Sequence, residues 1–104
     1  MWQSIKIPAV ADTFEVNIAP HYFYGHLATM MNAHFAAAVP NLRILEIDID
    51  RLPWDNEMFT AAPQFANGHL LVPDAPGWGT EPNEEAIRAH PVTTPGGLMH
   101  YRRP

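Results

Sequence analysis

Val16-Asn17-Ile18-Ala19-Pro20-His21 is followed by Gly25-His26-Leu27-Ala28-Thr29-Met30-Met31-Asn32-Ala33-His34-Phe35-Ala36-Ala37-Ala38 and then by Leu42-Arg43-Ile44-Leu45-Glu46. The order reads as a short apolar strand, a loop with a histidine, an amphipathic helix and a second strand ending in a carboxylate. Leu27, Met30, Met31, His34, Phe35 and Ala38 recur at three- and four-residue spacing, which predicts one buried face over residues 26–38. Ala33, Ala36 and Ala37 add helix propensity, and Pro40-Asn41 stops the helix. Leu42, Ile44, Leu45 and Ile47 make residues 42–47 nearly continuous in apolar character, as expected of a strand covered on both faces. A helix between two parallel strands is a βαβ unit. This order brings His21 and Glu46 to the carboxyl ends of adjacent strands, the rim where a β/α barrel does its chemistry. With 104 residues, the chain falls far short of the roughly 250 of a closed barrel. The expected class is therefore α/β, a partial (β/α) barrel fragment with a hairpin-containing C-terminal segment.

Working outward, residues 4–14 read as a helix with Ile5, Val10 and Phe14 on its buried side. Pro8 belongs in a first helical turn or else interrupts the hydrogen-bond ladder. Asn67-Gly68, between apolar stretches, is a hairpin signal because both residues tolerate positive φ. Pro76-Gly77-Trp78-Gly79 reads as a rigid turn. Asn83 is placed to cap a short helix over 84–90, with Glu84 and Glu85 at its positive end. Residues 91–104 read as a flexible tail after a single unit over 1–90.

Composition narrows the function. Hydrophobic residues make up 47% and charged residues 16% of the chain, a balance that suits covered strands. The net charge is -5 with six basic residues, which argues against nucleic acid, since phosphate binding needs clustered Lys and Arg. No cysteine is present, so disulfides and thiolate metal sites are excluded. The N-terminus lacks a signal-peptide pattern. No apolar run approaches the ~20 residues of a membrane span. A soluble cytoplasmic protein is expected.

Ala19-Pro20-His21, Ala36-Ala37-Ala38, Pro40-Asn41, Leu45-Glu46, Asn67-Gly68-His69-Leu70 and Val72-Pro73-Asp74-Ala75-Pro76-Gly77-Trp78-Gly79 carry a family likeness in their order and spacing. From about Trp2 to His90 the chain resembles the C-terminal part of the mandelate racemase/muconate lactonizing enzyme group of the enolase superfamily. The resemblance implies the sixth helix, seventh strand, seventh helix and eighth strand of a modified barrel. It implies an enzyme that abstracts a proton next to a carboxylate, with Mg2+ stabilising the enediolate, as in acid-sugar dehydratases and racemases. By the same resemblance His21 is the general base and Glu46 a carboxyl, held protonated, that donates a hydrogen bond to the substrate carboxylate. The family's three metal-binding carboxylates lie on strands with no counterpart in these residues. The aspartate that orients the histidine belongs to a sixth strand before Trp2, and the capping domain has no counterpart either. Pro8 and Phe14-Glu15 depart from the family pattern, so an altered first helix is expected.

Each candidate has a plainer reading. His21 and Glu46 are otherwise inherited loop residues without a task. His21 and His26 with Glu46 or Asp48 carry metal-ligand chemistry but match no established spacing, so no metal site is expected in these residues. His34 is a satisfied core histidine, and Met30 and Met31 fill the core. Trp78 and Trp54 either line a substrate site or anchor the C-terminal segment, the reading preferred here. His69 is expected to be exposed. Two strands with open edges invite association, so a homo-oligomer is expected, or a missing barrel and capping domain supplied by another chain. Two functions stay open: a dehydratase or racemase fragment inactive alone, and a non-catalytic oligomerising binding or assembly module from the same barrel.

Overall fold

A computed structural model describes residues 2–91, so the tail expected over 91–104 lies, but for Pro91, outside the described residues. The elements in chain order are α1 (Trp2–Asp12), α2 (His26–Ala38), a short 3-10 helix (Asp55–Glu57), β1 (Phe65–Ala66), β2 (His69–Leu70) and α3 (Glu84–Ala89). None of these helices is long and apolar enough to cross a membrane.

The central connection is a parallel one. Ile18 donates its N–H to the Asn41 carbonyl at 2.9 Å and accepts from Arg43 N–H at 2.8 Å. These two bonds make a parallel bridge between Ile18 and Leu42. The expected strands over 16–19 and 42–47 shrink to this one rung. Ile44 is exposed, whereas a strand packed on both faces was expected. The reason is that parallel strands depend on neighbours at both edges and layers on both faces, and here only α2 supplies cover. Two open hollows flank the rung. One of about 590 Å³ lies between α1, Ile18–His21 and α2. The other, of about 440 Å³, lies between α2, the 42–47 segment and the hairpin.

Helix α2 holds the core. Met30, Ala33, Phe35 and Ala36 are buried with Tyr22 and Met58, and Thr29 is fully enclosed. The buried face is displaced from the one expected: His26, Thr29, Ala33 and Ala36 join Met30 and Phe35, while Ala38 is exposed. Arg51 and Asn56, after residue 46, reach back to Thr29 and His26 in the first turns of the helix. Val39 is extended at the C-cap, as the residue before a proline must be.

Helix α1 differs more. It runs through Pro8, which lies in its interior and is its one buried residue. Ile5, Val10 and Phe14, expected on the buried side, are exposed, as are Trp2 and Ile7. Nothing among the described residues covers that face. In the turn after the helix, Glu15 takes a left-handed φ of 55°, and Val16 N–H closes the turn on the Ala11 carbonyl at 3.0 Å. This is the position where glycine is favoured. Buried Asn41 then ties three segments together: its Nδ2 donates to Pro8 O at 3.0 Å and to Val16 O at 2.9 Å.

The local turn signals are realised. Asn67 and Gly68 both have positive φ, and β1 and β2 pair antiparallel, Phe65 opposite Leu70 and Ala66 opposite His69. Asn83 caps α3 by accepting from Ala86 N–H at 3.4 Å. Thr80 Oγ1 donates to Ala61 O at 2.8 Å and accepts from Ala61 N–H at 3.1 Å, closing the C-terminal segment on itself.

Two substitutions test this account by thermal or denaturant unfolding. Glu15→Gly removes the steric cost of a left-handed β-carbon and should stabilise the chain by about 1 kcal/mol. Asn41→Ala removes two hydrogen bonds at a buried junction and should destabilise it by about 2 kcal/mol. A neutral result for Asn41→Ala would show that the junction is held by something else.

Candidate functional site

The rung at Ile18 and Leu42 sets the site. Three residues beyond Ile18 the chain reaches His21, and four beyond Leu42 it reaches Glu46, so both side chains emerge at one end of the parallel pair. His21 Nδ1 lies 2.7 Å from Glu46 Oε2. A carboxylate only accepts, so Nδ1 carries the proton and donates. Nε2 is then the basic nitrogen of the neutral ring. The imidazole is open to solvent, with 78% of its side chain exposed.

Tyr22 completes the carboxylate's surroundings. Its backbone N–H donates to the same Glu46 Oε2 at 3.1 Å. This bond, and after it the hydrogen bond from His21, hold the Glu46 carboxyl below its ordinary value of 4.5. Hydrogen bonds to the ionised form favour that form. The direction is opposite to that of a carboxyl kept protonated to donate, the role the resemblance implies for Glu46. In the described structure Glu46 is an anion that orients the histidine.

The other candidates lie elsewhere. Trp78 does not join His21 and Glu46. Its ring sits 5.8 Å from that of His34 on α2, and His34 is eight residues along the helix from its start, about 12 Å further down. Trp54 stacks on His90 with ring centroids 4.5 Å apart. Trp78 thus contacts α2, and Trp54 contacts the residue that ends α3. His34 Nε2 is buried without a hydrogen-bond partner, so this histidine is not satisfied as expected. His26 is buried and directs Nε2 to Asn56 Oδ1 at 2.7 Å, away from any metal role with His21. His69 is exposed.

The described residues contain no group of three His, Cys, Asp or Glu side chains able to hold a metal. Magnesium asks for several oxygen ligands in near-octahedral array. Glu46 is the carboxylate at the site, and one of its oxygens already accepts two hydrogen bonds. These residues therefore do not form a magnesium site. What they offer is a solvent-facing imidazole with a fixed tautomer, able to accept a proton at Nε2.

Sequence reasoning missed the groups behind the pair: Tyr22, Thr29, Arg51 and Asp55. Tyr22 Oη is hydrogen-bonded to the carbonyls of Tyr24 and Gly25, and Thr29 Oγ1 donates to it at 2.5 Å. No local motif announces these contacts. A tyrosine directly after the rim histidine is the one available signal.

Glu46 supplies a pH test. Its folded value is lowered, so its contribution to stability is present above pH 4.5 and is lost as pH falls through the lower, folded value. Carbon-13 NMR of the Glu46 carboxyl should show a midpoint under 4.5. His21→Ala should raise that midpoint only part of the way, because the Tyr22 N–H remains. Glu46→Gln should remove this acid-side contribution to unfolding.

Comparison with known proteins agrees with this architecture. Residues 1–86 match the family described as enolase C-terminal domain-like, MR_MLE_C. A solved protein from Burkholderia xenovorans strain LB400, proposed as an L-alanine-DL-glutamate epimerase, is 68% identical with a TM-score of 0.83, over 86% of this chain and 23% of its own. That protein has also been solved bound to magnesium and fumarate. D-xylonate dehydratase from Haloferax volcanii is 33% identical over 92 residues, 88% of this chain and 22% of that enzyme. D-gluconate dehydratase from Thermoproteus tenax is 31% identical over 98 residues, 90% of this chain and 20% of that enzyme. The chain thus spans under a quarter of the length of these relatives. A parallel rung with a histidine and a glutamate at its carboxyl end, joined to a family match over most of the chain, makes this protein a member of the enolase C-terminal domain-like (MR/MLE) family.

Proposed function

We propose that this chain is the C-terminal barrel part of a mandelate racemase-type enzyme acting on a small carboxylate, with acid sugars as the substrate class and dehydration or epimerisation as the reaction. The single observation that supports it is the His21–Glu46 pair. Glu46 holds the proton on Nδ1 and leaves Nε2 free, and a neutral imidazole has a pKa suited to accepting a proton near neutral pH. In this reading His21 Nε2 takes the proton α to the substrate carboxylate. The dehydratase relatives support the substrate class.

Proton removal next to a carboxylate leaves an enediolate whose charge must be stabilised. A single imidazole does not do that, and the described residues offer no metal set. The chain by itself is therefore expected to be inert. Activity requires the remaining barrel and capping domain, supplied with it or by another chain. A second reading is a non-catalytic, homo-oligomeric assembly module. The exposed Trp2, Ile7 and Val10 of α1, with Phe14 just after it, favour it, since exposed apolar surface attracts a cover.

A chimera separates the two. Residues 2–91 replace the matching quarter of the Burkholderia relative, and the product is assayed with magnesium against a panel of acid sugars and amino-acid epimers. The expected result is measurable turnover that His21→Asn lowers by roughly 100-fold or more. A folded chimera whose turnover is indifferent to His21→Asn would overturn the enzymatic reading. Inertness of the chimera, together with a stable homo-oligomer of the chain by native mass spectrometry, would favour the assembly module.

A further inference from the structure

Arg51 lies five residues past Glu46, on the segment that turns back over the site. Asp48 caps this turn by accepting from Asp50 N–H at 2.9 Å. The guanidinium then reaches three separate elements. Nη1 donates to the Tyr24 carbonyl at 3.0 Å and to Asp55 Oδ2 at 3.2 Å. Nη2 lies 3.5 Å from Thr29 Oγ1 on α2. Its central carbon is 6.0 Å from the Tyr22 ring centroid. Arg51 and Asp55 are both largely withdrawn from solvent, with side chains 24% and 15% exposed. His26 Nδ1 approaches Asp55 from the other side at 3.9 Å.

The pinned element is the loop that carries His21. Tyr22 sits at its centre. The Tyr22 ring is buried and its hydroxyl is bonded to Tyr24, Gly25 and Thr29. Its backbone N–H faces the opposite way, onto Glu46 Oε2. Fixing the ring therefore fixes the N–H and, one residue earlier, the direction of the imidazole. Arg51 is the group that locks the ring, the loop carbonyl and the helix together. Its planar fork of five donors can serve several acceptors at once, which a lysine ammonium on a flexible stem does not reproduce.

We propose that Arg51 is a positioning residue for the His21–Glu46 pair, acting through Tyr22. The proposal rests on that pair being the site's proton-handling group. It is tested on the whole chain without any activity measurement, so its failure is distinct from failure of the chimera. The readouts are the Glu46 carboxyl midpoint by carbon-13 NMR and the hydrogen-bonded Nδ1 proton of His21. Folding is followed by circular dichroism.

Arg51→Gln should raise the Glu46 midpoint toward 4.5 and abolish the downfield Nδ1 proton while the chain stays folded. Arg51→Lys should behave like Arg51→Gln. A lysine variant that titrates like the parent while the glutamine variant shifts would mean that charge alone acts, and would overturn the proposal. If Arg51→Gln does not fold, Tyr22→Phe decides, since it removes only the hydroxyl. A raised midpoint in that variant supports the clamp. Folded variants with a lower melting temperature but an unmoved Glu46 midpoint would reduce Arg51 to a structural contact and overturn the proposal.

Discussion

Ile18 is held by both of its backbone groups, its N–H on Asn41 and its carbonyl under Arg43 N–H, and the remaining geometry follows from that pair of hydrogen bonds. It fixes the relative direction of two segments that the chain separates by a helix. It also fixes their register, so that His21 and Glu46 arrive together. Each such hydrogen bond contributes only about 1 kcal/mol net, too little to hold two extended segments unaided. Helix α2 supplies the rest by burying Met30, Ala33, Phe35 and Ala36. Asn41 adds a polar pin from the rung to α1 and to the start of the Val16 segment. The ladder goes no further because the flanks of the rung are hollows rather than strands.

On this frame, one carboxylate oxygen organises the site. Glu46 Oε2 accepts from the His21 ring and from the Tyr22 backbone. Both donors favour the ionised form. The carboxylate therefore sets the imidazole tautomer, and the nitrogen left free is the one facing solvent. The family resemblance points instead to a carboxyl that donates to substrate. That role needs a protonated group, and the two donors at Oε2 oppose it. The geometry makes Glu46 an orienting anion, with the loop behind it braced by Tyr22, Thr29 and Arg51.

The matched residues make up under a quarter of the length of these relatives, and the uncovered surfaces bear on what the proposed activity demands. Helix α1 exposes Trp2, Ile7 and Val10, the turn after it exposes Phe14, and the 42–47 segment exposes Ile44. These side chains are apolar enough to be core residues of a larger assembly, and covering them is the energetic requirement that any barrel partner or second copy must meet. The chemistry makes a parallel demand. In the proposed reaction a base without nearby stabilisation for the developing enediolate removes protons poorly, so electrostatic help is needed as well as cover.

Helix α2, the Asn67-Gly68 hairpin, the Asn83 cap and the adjacency of His21 and Glu46 were all legible in the residues. Each rests on chemistry between near neighbours: apolar spacing, tolerance of positive φ, a side chain reaching its own helix, and strand polarity. The buried side of α1 was misread, because Ile5, Val10 and Phe14 are apolar whether or not anything exists to cover them. Extended strands were likewise expected where one rung forms, since β character needs neighbours that no local pattern supplies. The sequence by itself determined a histidine and a glutamate at one end of two segments joined by a helix. Only the tertiary structure decided that both His21 and Tyr22 donate to one oxygen of Glu46, and that Arg51 braces the loop. Those contacts join atoms 22 to 27 residues apart, and their geometry depends on how the intervening helix packs.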